Sequence, residues 1–201
     1  MTAPASKPGP ASEPGMVVVV VGPSGAGKDT LMAIAAGHFA GREEVHFVRR
    51  IITRESDAGG EDHRSVADHE FEAMAADGAF AVSWEAHGLK YGVPAKVREH
   101  LARGELVVVN GSRSVLERFH SAFERIKVVN VTARPEVLAA RLEARGRETR
   151  EDILQRLARG ALAVRGEFDV VNIDNSGALD DAGRAMVDAL ELALKHARGG
   201  D

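Results

Sequence analysis

Met16-Val17-Val18-Val19-Val20-Val21-Gly22-Pro23-Ser24-Gly25-Ala26-Gly27-Lys28-Asp29-Thr30 decides the fold of this chain. The aliphatic run from Met16 is β-branched and unbroken by polar residues, the pattern of a strand buried on both faces of a parallel sheet. Gly22 and Pro23 end it, and Lys28 to Ala40 then places Leu31, Ile34, Ala35 and His38 or Phe39 at helical spacing. Between strand and helix, Gly22 to Lys28 fit G-x-x-x-x-G-K, the Walker A pattern, in the context its mechanism requires. The glycines let consecutive N–H groups turn inward on phosphate oxygens, the helix N-terminus adds its dipole, and Lys28 reaches the β and γ phosphates. Gly22, Pro23, Ser24, Gly25, Ala26, Gly27, Lys28, Asp29 and Thr30 are therefore the expected nucleotide-binding residues.

The pattern breaks at Asp29, where a Ser or Thr hydroxyl would normally meet Mg²⁺, and Thr30 follows directly. A carboxylate beside a triphosphate repels it unless a cation stands between them. Two readings of Asp29 stand: it faces Mg²⁺, directly or through water, or it only favours the first turn of the helix through the dipole.

Working outward, Val45 to Thr53 is a strand candidate and Arg54 to Arg64 a charged, glycine-containing loop of the kind that holds ligands. Asp68 to Ala76 reads as a short helix, Phe80 to Trp84 as a strand, and His87-Gly88 as a turn before a second strand reaching Tyr91. Helices are expected at Pro94 to Arg103, Val115 to Phe123, Pro135 to Arg145, Thr149 to Val164 and Leu179 to Ala197. Strands are expected at Leu106 to Asn110, Ile126 to Thr132 and Phe168 to Ile173. Strands alternating with helices predict an α/β fold with a central parallel sheet flanked by helices. The stripe Leu179, Met186, Val187, Leu190 and Leu194 reads as core, with a homodimer contact left open.

The 201 residues fit one domain, 16–201, behind a Pro-, Ala-, Ser- and Gly-rich tail, 1–15, that reads as disordered. A net charge of −4 and only seven Phe, one Trp and one Tyr argue against nucleic acid as a partner. No run approaches the ~20 apolar residues of a membrane span. With no cysteine, disulfides and thiolate chemistry are excluded, and a cytoplasmic location is expected. No histidine pair sits at metal-ligand spacing on a helix, so no structural metal is expected.

From Val17 to about Ser176 the chain resembles the guanylate-kinase-related branch of P-loop kinases. The likeness is carried by the phosphate loop, by Thr53-Arg54 with Gly60-Glu61, by His87-Gly88-Leu89-Lys90-Tyr91-Gly92-Val93-Pro94, and by Arg141-Leu142-Glu143-Ala144-Arg145-Gly146 with Arg156-Leu157. It implies a P-loop kinase fold with a small acceptor-binding subdomain, about 50–95, and an arginine-bearing lid, about 143–158. Two departures matter. Guanylate kinases place an acidic base-reading residue two after the phenylalanine of an F-x-E strand, where this chain has Val82 after Phe80-Ala81. They end a later strand with D-x-D, where this chain has Asn110-Gly111-Ser112. Losing polar recognition of that kind can cost ~10⁴–10⁵ in discrimination, so GMP is not the expected acceptor.

Ribose 1,5-bisphosphate phosphokinases of phosphonate degradation carry these substitutions together, and the chain resembles them at four stretches. These are Gly22 to Asp29, Ile52 to Arg54 with Gly59 to His63, Trp84 to Pro94, and Val109 to Arg113. The resemblance implies ATP-dependent phosphorylation of the 1-phosphate of ribose 1,5-bisphosphate with Mg²⁺. The acceptor oxygen is already anionic, so charge neutralisation and alignment are the expected catalytic work. Lys28, Arg145, Arg141 and Arg156 are the expected catalytic cations, a role worth on the order of 10³–10⁵ in rate for an arginine. Arg54, Lys90, Tyr91 and Arg113 are candidates for the acceptor's two phosphates, Glu61, Asp62 and His63 for its sugar hydroxyls, and His87 for a phosphate. Against these stand plainer readings: a solvated helix face for the arginines, a charged turn for 61–63, and a structural turn residue for His87. Competing functions are another nucleoside monophosphate kinase, a non-catalytic guanylate-kinase-like binding module, and a sugar kinase using Asp62 as base.

Overall fold

The computed structural model describes residues 15–54, 62–144, 164 and 166–199. In chain order its elements are β1 (Met16–Val21), α1 (Lys28–His38), β2 (Val45–Phe47), β3 (Ile51–Ile52), β4 (Arg64–Ser65), α2 (Asp68–Ala76), β5 (Phe80–Ala86) and β6 (Leu89–Pro94). There follow α3 (Val97–Ala102), β7 (Leu106–Asn110), a 3₁₀ turn (Arg113–Val115), α4 (Leu116–Ala122), β8 (Ile126–Thr132), α5 (Pro135–Ala144), β9 (Val170–Asp174) and α6 (Leu179–Ala197).

Every residue of β1 is buried, and successive residues face different cores. Val18 and Val20 pack with Leu31 and Ala35 of α1 and Met186, Leu190 and Leu194 of α6. Val17, Val19 and Val21 pack with Leu101 of α3 and Leu116 and Phe119 of α4. Burial on both sides is why the run shows no polar alternation. β1 is the middle of a five-stranded parallel sheet ordered β2-β7-β1-β8-β9, so the loop leaving Val21 lies at the carboxyl edge, between connections to either side. In open α/β sheets that crevice is where ligands bind.

A second sheet, ordered β4-β3-β6-β5, spans Ile51 to Pro94. Its hairpin turns at His87 (φ 53°) and Gly88 (φ 72°), two positive φ values of the kind that match strand twist in a tight hairpin. Val82, Trp84 and Val93 of the hairpin share the core of Val17, Val19 and Val21, which fixes this sheet against the main one.

Several boundaries depart from expectation. The strand expected over Val45 to Thr53 is two strands in two sheets: Val48 N still donates to Val108 O at 2.9 Å, and by Arg50 the chain has changed sheets, its carbonyl accepting from Arg64 N at 2.8 Å. Pro94 ends β6 opposite Phe80 rather than opening a helix, because burial of Val93 keeps the segment extended, and α3 starts at Val97. Both hairpin strands run longer than expected, the turn at 113–115 precedes α4, and β9 begins at Val170. Gly15, assigned to the tail, donates to Leu101 O at 2.9 Å and belongs to the ordered body. Leu179 is exposed, so the core stripe of α6 starts further along the helix. The helix expected over 149–164, apart from Val164, and most of the lid lie outside the described residues, as does the tail before Gly15.

Candidate active site

The loop between β1 and α1 is shaped for anions. Gly25 and Gly27 have φ of 84° and 89°, and α1 has no side-chain cap at its N-terminus. A Cβ at Gly27 would stand 2.4 Å from Asn175 Nδ2, because Asn175 fills the space behind the loop and donates to Ala26 O at 2.8 Å. Lys28 Nζ arches over its own loop, donating to Gly22 O at 3.0 Å and Pro23 O at 3.2 Å. From α5, Arg141 donates to Asn175 O at 2.9 Å and Gly25 O at 3.4 Å. Its guanidinium ties the loop to the chain after β9. Ser24, Asp29 and Thr30 are exposed along the outer rim, and Ala26 is buried beneath.

At the end of β7, buried Asn110 donates through Nδ2 to Asp29 Oδ1 at 2.9 Å. The amide that ends β7 therefore orients the carboxylate that α1 supplies. Arg113 follows on the 3₁₀ turn, half-buried, and burial pushes its guanidinium below the usual range.

Across the crevice, Arg54 and His63 form a unit. Arg54 Nη2 lies 3.3 Å from His63 Nδ1, and His63 Nε2 lies 3.2 Å from Arg54 O. Both contacts are satisfied together when the imidazole carries its proton on Nε2. His63 is 4% exposed, so it serves as a buried support for Arg54, whose Nε is buried without a hydrogen-bond partner. Next to them Tyr91 stacks on Trp84, centroids 5.3 Å apart at 8°, and the Arg50 guanidinium lies over both rings at 5.1 and 5.4 Å.

Other expected acceptor residues make contacts of their own. Lys90 Nζ donates to Asp68 Oδ2 at 2.9 Å and to Glu72 of α2, and these carboxylates raise its affinity for the proton. Asp62 is exposed and accepts from Arg49 Nε at 2.9 Å, the solvated-turn arrangement, with nothing fixing it as a base. His87 is exposed at the hairpin tip. Glu61, Arg145 and Arg156 lie outside the described residues. Val82 is 5% exposed in the core with Trp84 and Val93, offering no acceptor for a base's N–H groups.

Two site residues escaped sequence reasoning. Asn175 had a usable signal: an amide directly after a strand at the edge that carries the phosphate loop. Arg50 had none, since its burial depends on two aromatic rings more than thirty residues away.

The AAA domain family matches residues 18–159. The chain is 62% identical over 187 residues to the ribose 1,5-bisphosphate phosphokinase PhnN of Rhizobium etli, covering 93% of this chain and 95% of that one. It is 60% identical over 175 residues to the protein of the same name from Agrobacterium fabrum, covering 87% and 96%. The chain belongs to the ribose 1,5-bisphosphate phosphokinase family. The crystal structure of guanylate kinase from Anaplasma phagocytophilum superposes on this phosphokinase-family chain with a TM-score of 0.64 over 90% of this chain and 87% of that one. At 18% identity that likeness is one of fold, and the P-loop kinase architecture is common to both. Among the described residues of this family member, no helix is long and apolar enough to cross a membrane.

Proposed function

We propose that the chain transfers the γ-phosphoryl group of ATP to the 1-phosphate of ribose 1,5-bisphosphate, releasing 5-phosphoribosyl 1-diphosphate and ADP. The observation that carries this reading is a contrast within one crevice. The phosphate loop keeps its full set of glycines and Lys28, while buried Val82 stands at the position that would read a nucleotide base and Asn110 at the one that would carry a metal-side acid.

An oxygen of the 1-phosphate attacks the γ-phosphorus, forming one P–O bond while the bond to the β-bridging oxygen breaks and its electron pair leaves with ADP. The nucleophile is anionic at neutral pH, so no side chain has to remove a proton. That suits a site in which Asp29 is held by Asn110 and Asp62 by Arg49, neither placed as a base. Lys28 exchanges its two carbonyl acceptors for phosphate oxygens, and the N–H groups of Gly25, Gly27 and Lys28 hold the β-phosphate, that of Ala26 being given to Pro23 O. Arg141 acts by bracing the loop through Gly25 O, and Arg145 and Arg156 remain the cations assigned to the transferred group.

Asp29 is exposed and oriented by Asn110, which fits a carboxylate facing Mg²⁺ directly or through water. When bound, the ion supplies charge neutralisation at the phosphates. Arg54, held by His63, offers its buried unpaired Nε to an anion; a buried donor left unpaired costs about 1–3 kcal/mol, which an acceptor phosphate would offset. Arg113 and the Tyr91 hydroxyl complete the proposed acceptor set.

The test is ADP release from ATP and Mg²⁺ with ribose 1,5-bisphosphate, GMP or AMP. Turnover with the sugar alone supports the reading. Turnover of GMP returns the chain to the nucleotide kinases, and silence with all three, in protein that binds ATP, favours a binding module.

A further inference from the structure

Toward the opposite, amino edge of the main sheet, His46 of β2, His100 of α3 and Glu105 converge. His46 is level with Val107 and, through it, with Val17, five residues before Gly22. At ~3.3 Å per residue that is roughly 16 Å from the phosphate loop. The backbone builds the cluster: just past the end of α3 the chain turns at Gly104 (φ 78°), and Glu105 N turns back to donate to His100 O at 3.1 Å, which brings the two side chains together. His46 Nε2 lies 2.6 Å and His100 Nδ1 2.8 Å from the same oxygen, Glu105 Oε2, and the imidazole centroids are 3.6 Å apart. All three donor atoms lie within 4.8 Å of one another.

Protons alone do not satisfy this arrangement. His46 Nε2 is buried and makes no hydrogen bond despite its closeness to the carboxylate. His100 Nδ1 faces Glu105 Oε2 at 2.8 Å and Arg103 Nη2, also at 2.8 Å. With a proton there, Nδ1 meets the arginine's donor; without one, its lone pair meets the carboxylate. One of the two contacts is repulsive in either state. A cation accepting both nitrogen lone pairs and the carboxylate removes the conflict.

We propose that His46 Nε2, His100 Nδ1 and Glu105 Oε2 form a binding site for a borderline-soft divalent cation, Zn²⁺ in the first instance. Two imidazoles and one carboxylate are a zinc donor set, whereas Mg²⁺ prefers oxygen alone, so this site is distinct in chemistry from the one at Asp29. Tetrahedral bonds of about 2.0–2.1 Å place ligand atoms about 3.3 Å apart, so the two short contacts open by well under an ångström. Arg103, half-exposed, releases its Nη2 contacts and keeps Nε on Glu105 Oε1 at 2.6 Å, fixing the carboxylate from behind. Solvent takes the fourth position. The bound ion pins β2, a three-residue edge strand, to β7 and α3.

The experiment is a calorimetric titration of untagged, chelator-stripped protein with Zn²⁺, beside thermal melts. The expected result is one equivalent bound, a melting temperature raised by several degrees, and no competition from excess Mg²⁺. His46→Gln and His100→Gln each weaken binding at least about 10-fold, with ADP release unchanged, and Asp29→Ser binds as the wild type does. No saturable uptake, equal binding by both histidine variants, or loss of binding in Asp29→Ser overturns the proposal. If either histidine variant fails to fold, Co²⁺ in the native protein decides: the strong visible bands of a four-coordinate ion support the site, and the pale spectrum of an octahedral one contradicts it.

Discussion

Asn110 Nδ2 donates to Asp29 Oδ1 over 2.9 Å, so the end of β7 sets the direction of a carboxylate carried by the first turn of α1. The relocation proposed for Asp29 puts the metal-side acid on the helix, where an amide steers it. Asp29→Ser is expected to raise the magnesium concentration for half-maximal turnover by about 10-fold or more, the scale of a lost oriented ligand. A magnesium titration of initial rates checks this, and an unchanged midpoint sinks the relocated carboxylate.

Asn110→Asp makes the complementary case. It sets a second carboxylate beside Asp29, and like charges at that distance are mutually destabilising. Its melting temperature is expected to fall by several degrees in EDTA and to recover with Mg²⁺ more than the wild type gains. An equal response to magnesium in both proteins contradicts the geometry.

Gly27→Ala meets two obstacles, a φ of 89° and Asn175 Nδ2 at 2.4 Å from the new Cβ. Strain of about 1–3 kcal/mol follows, or about 2–4 °C of melting temperature per kcal/mol for a chain of this size. ATP affinity should fall as well, because Asn175 has to leave Ala26 O. Melting curves and nucleotide titration read the two effects separately.

Lys28→Met removes the cation proposed to neutralise the transferred charge while keeping its length. Turnover should drop by on the order of 10²–10³, with the melting temperature changed little. A loss of stability as large as the loss of rate would make Lys28 a brace for Gly22 and Pro23 instead.

Val82→Thr keeps shape but buries a hydroxyl among Trp84 and Val93. A cost of about 1–3 kcal/mol is expected, with no gain of GMP turnover. Denaturant melts and the acceptor assay test both halves.

Much of this was legible in the sequence because local patterns and tertiary demands agree. The bounds of β1, α2, β7, β8 and α6 coincide with those read from the sequence, since in the strands an aliphatic run, and in the helices a helical pattern, meets a turn signal at its end. The segment from Val45 to Thr53 reads as one strand but serves two sheets, because the switch at Arg49-Arg50 depends on rings far along the chain. Pro94 carried a helix-start signal that burial of Val93 overrode. In the site, the phosphate loop is a contiguous motif and was visible. The partners of Lys90 were not, because a lysine's charge says nothing of whether Asp68 and Glu72 from another element will pair with it. The His46, His100 and Glu105 cluster was likewise hidden: it has no helical metal spacing and forms only when β2 lies beside β7.

The most direct test of the central claim is phosphorus NMR of the product formed from ATP, Mg²⁺ and ribose 1,5-bisphosphate. The account predicts a new pair of coupled diphosphate resonances on ribose C1, with the 5-phosphate signal unchanged and ADP formed in equal amount. Phosphorylation of a ribose hydroxyl, or an unaltered sugar spectrum while GMP is converted to GDP, would contradict it.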